Sequence, residues 1–249
     1  MKRWRVAIET ALVIVAIVGI KLLVERFDLA FIALSPLYSS VVAGGIFVIG
    51  LLVAGTLADY KEAERTPSDM VAALENIHED CRSIAQLKPE FDLARLRAGL
   101  VRIVSALRED LAEPGNRSCL DAINALSESF VELERLDAPP NYVVRLRTEQ
   151  GVIRRAVLRI YHIQRIDFLP SAYTLIQTIV GLIIAALVLT ELDPLSESIV
   201  LIVFISYFFI YLVRLLRILD TPFRVGTATQ DDVSRFLLKE FADRVQRSS

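Results

Sequence analysis

The chain has 249 residues, 54% of them apolar, and its 28 basic and 30 acidic side chains leave a formal net charge of −2. That charge averages over segments of very different character and gives no reason to expect a nucleic-acid partner. Four stretches are near-continuously apolar over roughly 20 residues, the length that crosses about 30 Å of hydrocarbon, which excludes an ordinary soluble domain. They are Val6–Val24, Tyr38–Leu57, Leu169–Thr190 and Ile199–Val213, so the chain reads as an integral membrane protein with spans paired at its two ends.

The first span follows "MKRWR", a basic start that signal peptides share. Gly19-Ile20-Lys21 is no small-x-small cleavage site and the apolar run is too long, so a retained helix is expected. Glu9 lies one turn inside this span and Lys21 near its far end; both are expected to snorkel toward water. The second span is unusual. After Leu57 come Asp59, Lys61, Glu62, Glu64 and Arg65, and neither Gly nor Pro marks the crossing until Pro67. One helix should therefore leave the bilayer and continue into water. Thr66 before Pro67 reads as a cap followed by a first-turn proline, the start of a new helix.

The block from 59 to 167 has soluble composition and helical periodicity throughout. Leu74, Ile77, Cys81 and Ile84 form the first stripe; Leu93, Leu96, Leu100, Ile103, Leu107 and Leu111 form the second. Cys119, Ile123, Leu126, Phe130 and Leu133 follow, then Val143, Leu146, Ile153, Val157, Ile160 and Ile163. Pro89, Pro114-Gly115 and Pro139-Pro140 separate them, and no alternating segment competes, so this block is predicted to be a helical bundle. Cys81 and Cys119 are expected to be reduced, buried apolar residues. The Asn116-Arg117-Ser118 sequon reads as a turn. Residues 141–166 hold six arginines (145, 147, 154, 155, 159 and 165) against Glu149. They form either a solvated face near anionic headgroups or a basic surface that attracts anions, and the sequence does not decide.

Asp167-Phe168-Leu169-Pro170 carries no loop signal, so this helix is expected to run on into the third span. After the fourth span comes "LDTPFRVG" (219–226), where Pro222 disfavours helix at Thr221, so Thr221 to Gly226 should run extended. Pro222 and Phe223 are the candidates for docking this tail. A last helix is expected after a capping box at Thr229 to Asp232, with Val233, Phe236, Leu237 and Phe241 on one side. Sixteen Lys and Arg lie in the central block and seven from Arg214 onward, while the loop between the first two spans offers Arg26 alone and "ELDPLSES" (191–198) none. The positive-inside rule puts both termini and the central block in the cytoplasm, with two short outer loops. The expected division is a transmembrane hairpin at 1–58, a cytoplasmic helical domain at 59–167, a second hairpin at 168–217 and a cytoplasmic tail at 218–249.

Catalytic chemistry finds little support. His78 and His162 are far apart without ligand spacing, and HExxH, a phosphate loop and a nucleophile elbow are absent. His78-Glu79-Asp80-Cys81 points in different directions on a helix and is no metal site. No enzyme, cofactor or metal is expected. Gly44, Gly45 and Gly50 remove side chains and permit close approach between helices, in an oligomer between subunits. Ala43, Phe47 and Leu51 recur at near-helical spacing, and around a symmetry axis Phe47 and Leu51 would make apolar rings able to gate by dewetting. The plainer alternative is small-residue packing with Phe47 toward lipid.

"FVIGLLVAGTLADYKEAE" (47–64) and "LDTPFRVG", set in four spans around a helical insert, resemble the bestrophin-like membrane proteins of bacteria, relatives of the bestrophin channels. The resemblance implies an all-α homopentamer with the second helices around a central axis, and places Ala43, Phe47 and Leu51 at a hydrophobic neck. It departs from the channels in having Leu51 where a second aromatic often stands. It also lacks the acidic cluster of the animal members, since Asp231-Asp232 cannot supply a calcium site. The expected function is a passive ion channel of the cytoplasmic membrane, with itself, the bilayer and permeant inorganic ions as partners. The alternative is a non-conducting scaffold or sensor whose cytoplasmic bundle binds a partner. A transporter is disfavoured because no inverted repeat or paired broken helix is visible.

Overall fold

A computed structural model describes residues 5–33, 36–113, 115–165, 170–191, 194–220, 222–223 and 236–247. Among these the chain is helical almost throughout: α1 (Arg5–Arg26), α2 (Pro36–Leu87), α3 (Leu93–Ala112), α4 (Ser118–Arg135), α5 (Pro140–Arg165), α6 (Pro170–Val188), α7 (Leu195–Leu219) and α8 (Phe236–Arg247). Two short strands, β1 (Ile32–Ala33) and β2 (Thr190–Glu191), pair in parallel. The chain divides into two compact units. One holds the described residues of Met1–Asp59 and Asp167–Asp220; the other holds those of Tyr60–Ile166 together with Pro222, Phe223 and α8.

Helix α2 belongs to both units and is 52 residues long. At 1.5 Å per residue it extends about 78 Å, more than twice a hydrocarbon core of about 30 Å. The expected restart at Thr66-Pro67 is not there: Pro67 lies inside the helix. Proline has no N–H to offer the carbonyl four residues back, but the Thr66 hydroxyl donates to the Glu62 carbonyl at 2.8 Å, so Thr66 makes a bond within the helix instead of capping it. Ala63, Thr66 and Met70 are all buried on this side, and packing keeps the helix continuous.

In the first unit α7 packs on α1 and α6, and Ile49, Ile176, Ile183, Ile202 and Phe209 sit at the core. Helices long and apolar enough to cross a membrane lie in α1 (Ala7–Arg26), α2 (Ser39–Leu87) and α7 (Leu195–Leu219), and α6 supplies a shorter apolar helix. The join across residues 166–169 lies outside the described residues. One expectation for a charged residue is corrected. Lys21 does not snorkel: it is fully buried and donates to the Thr190 carbonyl at 2.6 Å, with Glu25 as its ion partner. Glu9 pairs with Arg214 of α7 at 3.3 Å, because a carboxylate near lipid is held most cheaply by a cation at the same depth. The loop 191–198 is also shorter than expected, since α7 begins at Leu195.

The second unit is built on the four apolar stripes. Every stripe residue is buried except Leu93 and Ile163, which are partly covered. Cys81 and Cys119 are buried and free, and burial pushes both thiols up to about 12. Helix α3 starts with Asp92, whose side chain accepts the Arg95 amide at 2.8 Å. Helix α4 is capped from outside itself. Asp110 of α3 accepts the Ser118 amide at 3.1 Å, the Ser118 hydroxyl at 2.7 Å and the Cys119 amide at 2.9 Å, and also takes the Tyr161 hydroxyl of α5. Burial alone would raise the Asp110 pKa, but these bonds together hold it below the ordinary carboxylate value. Phe223 joins this core, but Pro222 and Phe223 form a turn where an extended run was expected, and the rest of 221–226 lies outside the described residues. The apolar side of α8 differs from expectation: Leu238, Phe241 and Val245 are buried, Leu237 partly, and Phe236 is exposed. Positions 238, 241 and 245 are the i, i+3, i+7 set, so the helix turns Phe236 outward. The box at Thr229–Asp232 and Val233 lie outside the described residues.

Candidate functional site

The membrane part of α2 has two unlike faces. Gly45, Ile49 and Thr56 are buried against their own chain, and the Thr56 hydroxyl returns to the Leu52 carbonyl at 3.0 Å, leaving no polar group to face the apolar neighbours. At about 100° per residue, Ala43, Phe47 and Leu51 fall on the opposite side. All three are exposed, Phe47 at 72% and Leu51 at 66%. The structure therefore brings the three neck candidates onto one face, one turn apart, with no chain packed over Phe47 or Leu51.

The glycines separate into two kinds. A Cβ on Gly45 would lie 2.9 Å from Ile183 Cδ1 and 3.1 Å from Ile179 Cγ2, so this glycine serves the approach of α6 within the chain. That corrects the expectation that all three glycines serve contacts between subunits. Gly44 and Gly50 have open space around the Cβ position and belong to the exposed side. The outward residues of α1 and α7 are bulky by comparison, including Leu12, Val15, Val200 and Phe204, as suits helices in contact with acyl chains.

In the second unit, three of the six arginines of α5 are held in ion pairs. Arg145 pairs with Asp80 at 3.1 Å, Arg147 with Glu134 at 3.0 Å, and Arg159 donates to both oxygens of Glu62 at 2.9 and 2.6 Å. The net basic surface is accordingly smaller than the count of arginines implied. His78 accepts from Arg97 Nε at 3.3 Å, and burial, with Arg97 beside it, lowers its pKa from 6.5. Among the described residues no group of three or more His, Cys, Asp or Glu is placed to hold a metal ion. Sequence reasoning missed the Lys21–Thr190 contact, the β1–β2 pairing and the inward role of Gly45. A lysine in an apolar helix was the one signal available for the first; the other two depend on which helix lies alongside.

No family model matches the chain, and no curated protein matches it. Solved structures do. A bacterial bestrophin homologue from Klebsiella pneumoniae superposes with a TM-score of 0.79 at 16% identity, over 97% of this chain and 96% of that one. A substituted form of the same homologue gives a TM-score of 0.80 at 15% identity, over 97% and 96%. A structure described as a membrane protein gives 0.80 at 15% identity, over 97% and 95%. The chain thus has the bestrophin-like fold over nearly its whole length, and with its apolar helices it is a membrane protein.

Proposed function

We propose that the protein is a passive ion channel of the cytoplasmic membrane, assembled from five copies around α2, with Ala43, Phe47 and Leu51 of each copy forming a hydrophobic neck. The observation that carries this reading is the α2 face itself. A Phe at 72% exposure, a Leu at 66% and two open glycines share one side of a helix whose other side is packed. The open glycines distinguish this face from the bulky outward faces of α1 and α7 and leave room for a second copy to approach closely. The bestrophin-like fold supports it, because the homologues that share the fold are relatives of channels. The neck offers ions no polar replacement for their water, so its width decides conduction. In this arrangement α2 continues past Leu57 because one helix serves as pore wall in lipid and as bundle support in water.

The orientation follows from the placement of Lys and Arg, with both termini and the 59–167 block inside. Bilayer recording of the purified protein under ion substitution tests conduction and reads selectivity. Mass measurement in detergent tests the assembly, and a wild-type monomer would remove the pore. A cysteine placed at Glu109 should resist impermeant reagents in intact cells; labelling there would invert the topology.

A second reading has an observation of its own. Between α3 and α8 lies a groove of about 910 Å³, lined in part by Val101, Val104, Leu111 and the exposed Phe236. A non-conducting sensor would bind its partner there, and silence in the bilayer together with capture of a partner on this groove would favour it.

A further inference from the structure

Lys21 is the largest fully buried side chain of the chain's described residues, and it lies in an apolar helix. A lysine five residues from a helix end has stem enough to carry its ammonium to the interface. Full burial therefore needs compensation, and the structure supplies three sources. The ammonium donates to the Thr190 carbonyl at 2.6 Å. Glu25, one turn along α1, is its ion partner. The carbonyl ends of α1 and α6 both terminate near it, and each favours a cation.

The Thr190 carbonyl is a specific anchor. Thr190 lies two residues past the end of α6, where its carbonyl takes the Lys21 ammonium while its hydroxyl turns back to Ala186 at 2.7 Å. Thr190 is also half of β2. In the parallel pair Ile32 stands opposite Thr190 and Ala33 opposite Glu191, while the Phe31 and Ile32 amides both donate to the Leu189 carbonyl at 3.1 Å. A two-residue pairing has little stability of its own. The chain between Lys21 and β1 is short and defined: Asp28 takes φ +52° at the end of α1, and Leu29 donates back to the Val24 carbonyl at 3.0 Å. Ala33 stands three positions before Pro36, the first residue of α2.

We propose that Lys21 is a positioning residue: by holding the Thr190 carbonyl it clasps β2 to β1 and thereby sets where α2 begins. The clasp does not rest on the neck reading above.

The test is hydrogen exchange at the Phe31 and Ile32 amides of the intact protein, compared with amides of α3 as an internal reference. Lys21→Met keeps length and removes the charge and donor. A hydrogen bond from a charged group is strong enough that its loss should speed exchange by about tenfold or more at these amides, with α3 unchanged. Unaltered exchange at Phe31 and Ile32 overturns the clasp. Should Lys21→Met fail to assemble, Lys21→Arg and Lys21→Gln decide: the clasp requires slower exchange in Arg than in Gln, and equal rates overturn it. Because this readout needs no current, a wild type that does not conduct would remove the neck reading without altering the exchange result.

Discussion

Arg159 of α5 donates to both carboxylate oxygens of Glu62 on α2, at 2.9 and 2.6 Å. The same Glu62 gives its backbone carbonyl to the Thr66 hydroxyl, one residue before the proline that interrupts the ladder. The weakest turn of α2 is thus braced from its own side chain and from a neighbouring helix. Arg159→Lys keeps the charge and loses the fork. Both partners are partly exposed, 35% for Arg159 and 52% for Glu62, so water and salt screen the pair. The expected loss is about 0.5–1 kcal/mol at low ionic strength and less at high. Melting curves at two salt concentrations check this, and an equal loss at both would show that the contact is packing and not charge.

Acid should loosen the second unit through His78. Its folded pKa is lowered by burial first and by Arg97 next, with Arg82 of α2 and Arg244 of α8 adding to the effect and Glu79 opposing it. The unfolded chain then binds the proton more readily than the folded one, so stability is lost as pH falls below the ordinary 6.5. Protonation also removes the acceptor that Arg97 uses. His78→Gln should flatten the pH dependence of melting between neutral and mildly acidic pH. Asp110 works lower: its bonds are intact above its ordinary 3.8 and are lost on further acidification. An unchanged pH profile in His78→Gln would remove His78 as the source of the acid sensitivity.

The bundle was legible in the sequence because its information is local. Three- and four-residue spacing in α3, α4 and α5 names the buried residues directly, and proline and glycine mark the breaks. Thr66-Pro67 was misread because cap and back-bond begin with the same residues, and tertiary packing of Ala63 and Met70 decides between them. Lys21 and Gly45 were misread for another reason. Whether a lysine reaches water or a carbonyl, and whether a glycine serves its own chain or another, depends on partners more than a hundred residues away. The face of Ala43, Phe47 and Leu51 was visible from spacing, but spacing cannot say what covers it.

Phe223 is buried in the core of the second unit at 5% exposure, although it lies beyond the last apolar helix. A phenylalanine truncated in a packed site loses transfer energy and leaves a cavity, together about 3–5 kcal/mol. Phe223→Ala should therefore lower the melting temperature clearly, whereas truncating Phe236, which is 56% exposed, should change it little. Equal small effects from both would mean that the Phe223 site is solvated in the folded protein.

In the proposed channel the neck would decide conduction, and Phe47 is the largest of its three side chains. In a ring of identical copies one substitution acts at every position around the axis at once. The apolar constriction passes hydrated ions when wide and empties of water when narrow. Phe47 carries its bulk on the face of α2 turned away from its own chain, so replacing it leaves the packing of Gly45, Ile49 and Thr56 in place. Phe47→Ala should then widen the neck without weakening assembly, and conductance or open probability should rise roughly several-fold as the dewetting barrier falls. Leu51→Ala, one turn on, should act in the same direction with smaller effect because less bulk is removed. A lipid-facing Phe47 would give unaltered current in both variants. Single-channel recordings of wild type, Phe47→Ala and Leu51→Ala, each checked as an intact oligomer, separate these outcomes, and silence from all three would remove the channel in favour of a binding role for the bundle.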